Sequence, residues 1–222
     1  MAGNDIDIVY FLKTLEKEIR KYAVPVVDLI AVQSRDPYRI LVGAILSART
    51  RDEVTAGALS RLFDNVPDLY SLAEQEVQTI EKLIFPVGFY KNKARFLKEL
   101  PAALGEHFGG RIPDTVEALL KLPGVGRKTA NLVVSVAFDK PAICVDTHVH
   151  RIMNIWAYVQ TDNPLQTEMA LRSKLPRRLW KKVNRILVAF GQSVCKPFRP
   201  HCDICIIGHF CPKIGVTPRK IM

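Results

Sequence analysis

The amino-acid sequence predicts an all-α protein, and three observations carry that expectation. Apolar residues recur at three- and four-residue spacing through most of the 222-residue chain. Helix-starting residues stand in front of those runs. No stretch sustains the alternation of apolar and polar residues that a half-buried strand requires. About ten short helices with short connections are expected.

Taken in order, residues 6–22 place Ile8, Phe11, Leu12, Leu15 and Ile19 on one helical face, which must bury itself against some other element. Asp36-Pro37 reads as a cap followed by proline at the first helical position, opening a helix from Tyr38 to Ser47. Asp52 is expected to cap a helix with Val54, Ala58, Leu59 and Leu62 inward. Ser71 with Glu74 has the spacing of a capping box, and Val77, Ile80, Leu83 and Ile84 continue the helical period. Asn92 to Phe108 reads as helix, broken or bent at Pro101. Asp114 and Glu117, again three apart, precede Val116, Leu119 and Leu120. Ala130, Val133, Val134 and Ala137 mark the next helix. Helices follow from about Thr147 to Tyr158, from Pro164, and from Arg178 to about Val194. There is no internal repeat and no Gly-, Ser- or Pro-rich linker.

Composition narrows the class. The chain is 48% apolar and 24% charged, and no apolar run nears the roughly 18 residues of a membrane span. The start, Met-Ala-Gly-Asn-Asp-Ile-Asp, is acidic and polar and does not read as a signal peptide, so an intracellular protein without membrane contact is expected. The net charge is +10 and unevenly spread. Residues 162–222 hold twelve Lys and Arg against Asp162, Glu168 and Asp203, a net of +9 that leaves about +1 for the first 161 residues. A segment this basic points to a polyanion, and a solvated, solubilising surface is the alternative. The charge shift near residue 160 and the cysteines beyond it mark a second structural unit.

Leu122-Pro123-Gly124-Val125-Gly126-Arg127-Lys128 lies between two helical runs and reads as a hairpin. Gly124 and Gly126 allow a sharp turn and leave backbone N–H groups uncovered. At the start of a helix such groups receive a phosphate oxygen, so Gly124, Val125, Gly126 and Arg127 are candidate DNA-binding residues. Lys128 follows one or two residues into the helix; the plain alternative is a solvated lysine on a helix corner. Asp146 lies 18 residues further on. The helix from about Arg127 to Phe138 rises roughly 18 Å, and residues 139–146 can return about 26 Å. The chain can therefore bring Asp146 back to the level of Lys128. Asp146 also precedes Val149, Ile152, Met153 and Trp156, so a plain N-cap is its other role.

An amine beside a carboxylate near a phosphate site suits one chemistry. Burial and a helix N-terminus both favour the neutral amine, which can attack the C1′ carbon of a nucleoside and become a Schiff base. The carboxylate stabilises the cationic sugar as the base leaves and can shuttle protons. His148 and His150 are offset by two residues on a helix and read as local polar contacts.

Cys195, Cys202, Cys205 and Cys211 follow the pattern C-x6-C-x2-C-x5-C. Intracellular disulfides are rare, so four thiolates this close read as ligands of zinc or of an iron–sulfur cluster, with the single C-x2-C pair favouring the cluster. Lys196, Arg199 and Lys213 make this loop cationic. Cys144, in an apolar run, reads as a small buried hydrophobe.

Together these features resemble the endonuclease III family, helix–hairpin–helix DNA glycosylases with AP-lyase activity. The resemblance runs from about Ile30 to Cys211. Its strongest segments are Leu46-Ser47-Ala48, Val87-Gly88-Phe89-Tyr90 with Lys93-Ala94, Leu122 to Asn131, Val145-Asp146-Thr147-His148 with Arg151, and the cysteine loop. The resemblance implies a two-domain fold: a six-helix barrel domain over residues 30–140, and a domain of residues 1–29 with 141–222 holding a [4Fe-4S] cluster in loop 195–211. Substrate would lie in the cleft between them. Lys128 falls on the family's Schiff-base lysine, Asp146 on its catalytic aspartate, and the four cysteines on its cluster ligands. Arg49 and Phe89 fall on the positions that fill the gap left by an extruded nucleotide. Arg49 departs from the usual glutamine and can pair with an orphaned guanine. Phe89 has a core aromatic role as its alternative.

The implied function is a bifunctional DNA glycosylase and AP lyase of base excision repair, removing damaged, oxidised pyrimidines from double-stranded DNA and cutting 3′ to the abasic site. An intracellular monomer is expected, placed in the cytoplasm or nucleoid if the source is prokaryotic. A mismatch glycosylase of the same superfamily is the nearest alternative. A non-catalytic DNA-binding module and an iron–sulfur electron carrier are the others.

Overall fold

The computed structural model describes residues 6–21, apart from the Arg20 side chain, and residues 36–219. The expected end of the first helix at residue 22 and the expected domain start at Ile30 lie outside the described residues. The described residues are helical, with no strand among them. The chain divides into two compact units, Pro25–Ala142, and Met1–Val24 with Ile143–Met222.

In the first unit, helices Pro37–Ser47, Asp52–Asn65, Leu69–Glu74, Val77–Ile84, Tyr90–Phe108, Val116–Leu119 and Arg127–Ala137 enclose one core of fully buried leucines and isoleucines, among them Ile40, Leu41, Leu62, Ile80 and Leu97. Asp36 accepts from the Tyr38 N–H at 2.9 Å, and Pro37 opens the helix, as expected. Three other helix starts differ from expectation. Arg51 stands at the N-cap of Asp52–Asn65 without a side-chain bond, and Asp52 is the first helical residue, where its charge meets the positive helix end. The reciprocal box is Asp68 with Ser71, not Ser71 with Glu74: Asp68 accepts from the Ser71 N–H at 2.8 Å, and Ser71 Oγ accepts from the Asp68 N–H at 3.2 Å. Thr115 rather than Asp114 caps Val116–Leu119, because the Asp114 carboxylate is engaged by Lys140. Helix Tyr90–Phe108 runs unbroken through Pro101, with Leu97, Leu100 and Leu104 buried around the lost hydrogen bond.

The second unit joins helix Ile8–Glu18 to helices Thr147–Ile155, Pro164–Lys174 and Trp180–Ser193. This settles where the N-terminal helix buries its face: Phe11 meets the buried Trp156 edge to face, with ring centroids 5.1 Å apart. Helix Thr147–Ile155 stops short of Tyr158, and the basic helix starts at Trp180 after a 3₁₀ turn over Arg177–Leu179. Cys144 is buried, as its apolar neighbours predict.

Candidate functional site

The hairpin begins from the short helix Val116–Leu119 and is anchored by buried Leu122 and Val125. Only Gly124 of its two glycines needs left-handed backbone, at φ +72. A Cβ there would stand 2.7 Å from the Phe96 ring. Gly126 has an ordinary φ of −90 and serves as N-cap of helix Arg127–Ala137, and nothing lies within 4 Å of where its Cβ would be. The turn thus uses the two glycines differently: one for conformation, the other for open space in front of a helix N-terminus. The Val125 N–H is spent inside the turn, donating to the Leu122 carbonyl at 3.2 Å.

Lys128 sits on the first turn of helix Arg127–Ala137. Its side chain is exposed. Asp146 is the N-cap of helix Thr147–Ile155, with Oδ1 accepting from both the His148 and Val149 N–H groups at 2.9 Å. Those two bonds fix the carboxylate's direction. Lys128 and Asp146 belong to different units of the chain. His150 and Asn154 form a polar network with Thr161 and Thr167, including a 2.7 Å contact from His150 Nδ1 to Thr167 Oγ1, as expected of a local polar role.

Arg49 and Phe89 lie in one unit and next to each other, the Arg49 guanidinium 5.7 Å from the Phe89 ring centroid. Both take left-handed backbone, at φ 54 and φ 59. Phe89 is 60% exposed, which removes the core-aromatic alternative. Sequence reasoning gave no role to Lys93, whose Nζ reaches the turn that carries Arg49. Its signal was available: Lys93, Leu97, Leu100 and Leu104 share the buried row of one helix, a place where a lysine needs a reason.

The four cysteines line a single cavity together with Trp156, Phe190, His201 and Lys213. Gly208 closes one side, where a Cβ would press on the Cys205 and Cys202 carbonyls at 2.9 and 3.0 Å. Burial, with the neighbouring thiols adding to it, pushes the Cys195 thiol up to about 12; burial pushes Cys205 up to about 11. Thiols in this setting release their protons to solvent when a cation binds them. Arg151 donates to the Cys195 carbonyl at 2.6 Å, while its buried Nε finds no partner in the protein. Such an orphan donor fits a neighbouring group of negative charge. No group of three or more His, Cys, Asp or Glu among the described residues is gathered closely enough for a single metal ion. Zinc would draw four sulfurs to within about 2.3 Å of one point. Four cysteines lining one cavity supply the set of thiolate donors that an iron–sulfur cluster takes.

No helix among the described residues is long and apolar enough to cross a membrane.

The family described as HhH-GPD superfamily base excision DNA repair protein matches residues 42–177. Endonuclease III of Thermotoga maritima is 47% identical over 176 residues, spanning 79% of this chain and 83% of that protein. Endonuclease III-like protein 1 of Gallus gallus is 42% identical over 178 residues; the matching region is 79% of this chain and 63% of that longer protein. Among solved structures, a trapped endonuclease III–DNA covalent intermediate with an estranged adenine superimposes with a TM-score of 0.83 at 33% identity, over 95% of this chain and 96% of that one. A thermostable thymine-DNA glycosylase superimposes with a TM-score of 0.78 at 27% identity, over 91% and 94%.

Proposed function

Because the chain belongs to the endonuclease III family of HhH-GPD base excision DNA repair proteins, we propose that it is a bifunctional DNA glycosylase and AP lyase acting on oxidised pyrimidines in double-stranded DNA. The observation that carries the reading is the hairpin: Gly124 bends the chain, Gly126 leaves the helix N-terminus open, and Lys128 follows on the same turn. A strand phosphate held at that terminus brings the adjoining C1′ within reach of the amine.

In the proposed reaction the Lys128 amine gives up its proton and attacks C1′, and the bond from C1′ to the base breaks. The base departs with the electron pair and takes up a proton. The Asp146 carboxylate stabilises the positive charge that develops on the sugar and relays protons during ring opening. The resulting Schiff base acidifies C2′. Loss of that proton expels the 3′ phosphate by β-elimination, and water then frees Lys128. The reading requires Lys128 and Asp146, from the two units, to meet at one sugar.

Residues 30–140 form the barrel domain of this reading. Residues 1–29 with 141–222 form the domain in which Cys195, Cys202, Cys205 and Cys211 hold a [4Fe-4S] cluster. When bound, the cluster ties loop 195–211 to its helices. Gly124, Val125, Gly126 and Arg127 make the strand-binding turn. Arg49 and Phe89 fill the gap left by the extruded nucleotide. The protein acts as a monomer inside the cell.

Borohydride trapping on an abasic-site duplex tests the proposal. A covalent adduct is expected from the wild type and not from Lys128→Ala. Absence of an adduct from the wild type would leave a DNA-binding module. The structural likeness to a thymine-DNA glycosylase supports a second reading, mismatch removal, and excision kinetics on thymine glycol and G·T duplexes separate the two.

A further inference from the structure

Lys93 is only 6% exposed, on the buried row of helix Tyr90–Phe108. A buried ammonium is tolerated when every donor is satisfied. Its Nζ donates to the Leu46 carbonyl at 2.8 Å, the Ala48 carbonyl at 2.6 Å and Thr50 Oγ1 at 3.2 Å. Three donors thus meet three acceptors. All three acceptors lie in one stretch of chain, the end of helix Pro37–Ser47 and the turn after it. The cation therefore stands at the negative end of that helix and takes up carbonyls the helix cannot satisfy itself.

Arg49 lies inside this stretch, between two of the acceptors. Thr50 Oγ1 also accepts from the Gly88 N–H at 3.1 Å. Gly88 packs so closely that a Cβ would come within 2.6 Å of the Arg49 carbonyl oxygen. Phe89 follows directly. Both Arg49 and Phe89 hold left-handed backbone that side-chain-bearing residues adopt only when the surroundings impose it. One ammonium and one hydroxyl thus join the two conformationally restricted residues.

We propose that Lys93 is a positioning residue: its ammonium clamps the turn 47–50 to the start of helix Tyr90–Phe108 and presents Arg49 and Phe89 as one rigid wedge. The inference rests on the reading of Arg49 and Phe89 as gap-filling residues. Lys93 touches no reacting atom; it acts through the two side chains it places. A methionine at this position fills the same space and removes three hydrogen bonds from the turn, so the turn loses its fixed conformation while the barrel core stays filled.

The test compares two substrates. On duplexes carrying thymine glycol opposite each of the four bases, Lys93→Met is expected to slow single-turnover excision by about tenfold or more and to flatten the dependence on the opposite base. Borohydride trapping at a preformed abasic site in a single strand has no gap to fill and is expected to stay within about twofold of the wild type. Added to Arg49→Ala/Phe89→Ala, Lys93→Met should bring no further loss, because the three act as a unit. Equal losses on duplex and single strand, no loss on the duplex, or a full independent loss in the triple variant overturns the proposal. If Arg49→Ala/Phe89→Ala itself excises at the wild-type rate, the wedge reading fails first and takes this inference with it. Should Lys93→Met not fold, Thr50→Val carries the same comparison, since it removes the hydroxyl shared by Lys93 and Gly88. A loss confined to the duplex supports the clamp, and unchanged duplex excision sinks it.

Discussion

At Gly124 a Cβ would enter the Phe96 ring, and the backbone is left-handed as well. Gly124→Ala is therefore expected to destabilise the protein by about 1–3 kcal/mol, read from its denaturation midpoint. Gly126→Ala meets no neighbour and no unusual φ, so it should move that midpoint far less while weakening DNA binding. Lys93 gives a prediction with a sign. Burial pushes its ammonium from 10.5 down to about 8. Between those values the unfolded chain holds a proton that the folded chain has released, so this residue makes stability rise with pH across that window. Lys93→Met should lack this contribution: the difference between the two unfolding free energies, followed from pH 7 to about 10.5, should change in that direction. A difference that does not vary with pH would mean that Lys93 keeps its proton throughout.

A cap and a catalytic group can be separated at the level of one helix. Asparagine caps about as well as aspartate, whereas alanine costs about 1 kcal/mol. Asp146→Asn should therefore keep the helix Thr147–Ile155 and DNA affinity while losing most turnover, and Asp146→Ala should lose stability too. A fully active Asp146→Asn enzyme would reduce Asp146 to its cap. Helix Ile8–Glu18 is held mainly by its apolar face. Its Glu16 pairs with Lys182 and Arg185 are partly exposed and contribute little. Phe11→Ala, which empties the space beside Trp156, is expected to cost about 3–5 kcal/mol.

Over the whole molecule, the +10 charge predicts DNA binding that weakens steeply with salt, by about 0.9 in the log–log slope per phosphate neutralised. A flat response would remove the basic segment from the interface. Protein purified without air should be coloured and carry iron; a colourless zinc protein would overturn the cluster. Helix spacing, the Asp36-Pro37 start, the hairpin and the cysteine pattern were legible from the chain alone, because each is a local property of neighbouring residues. Three helix starts were misplaced, because several polar residues compete for each one and only the packed helix selects among them. Thr115 caps because Lys140, 26 residues from Asp114, engages the carboxylate. Spacing left Phe89 equally fit for a core or a surface, and its exposure beside Arg49 resolved that choice. Lys93 gained a role only when carbonyls more than forty positions earlier in the chain came to lie around its ammonium. Sequence thus determined which segments become helices and which reactive residue types they carry, whereas the tertiary structure decided what each polar group faces, since that depends on atoms that meet only after folding.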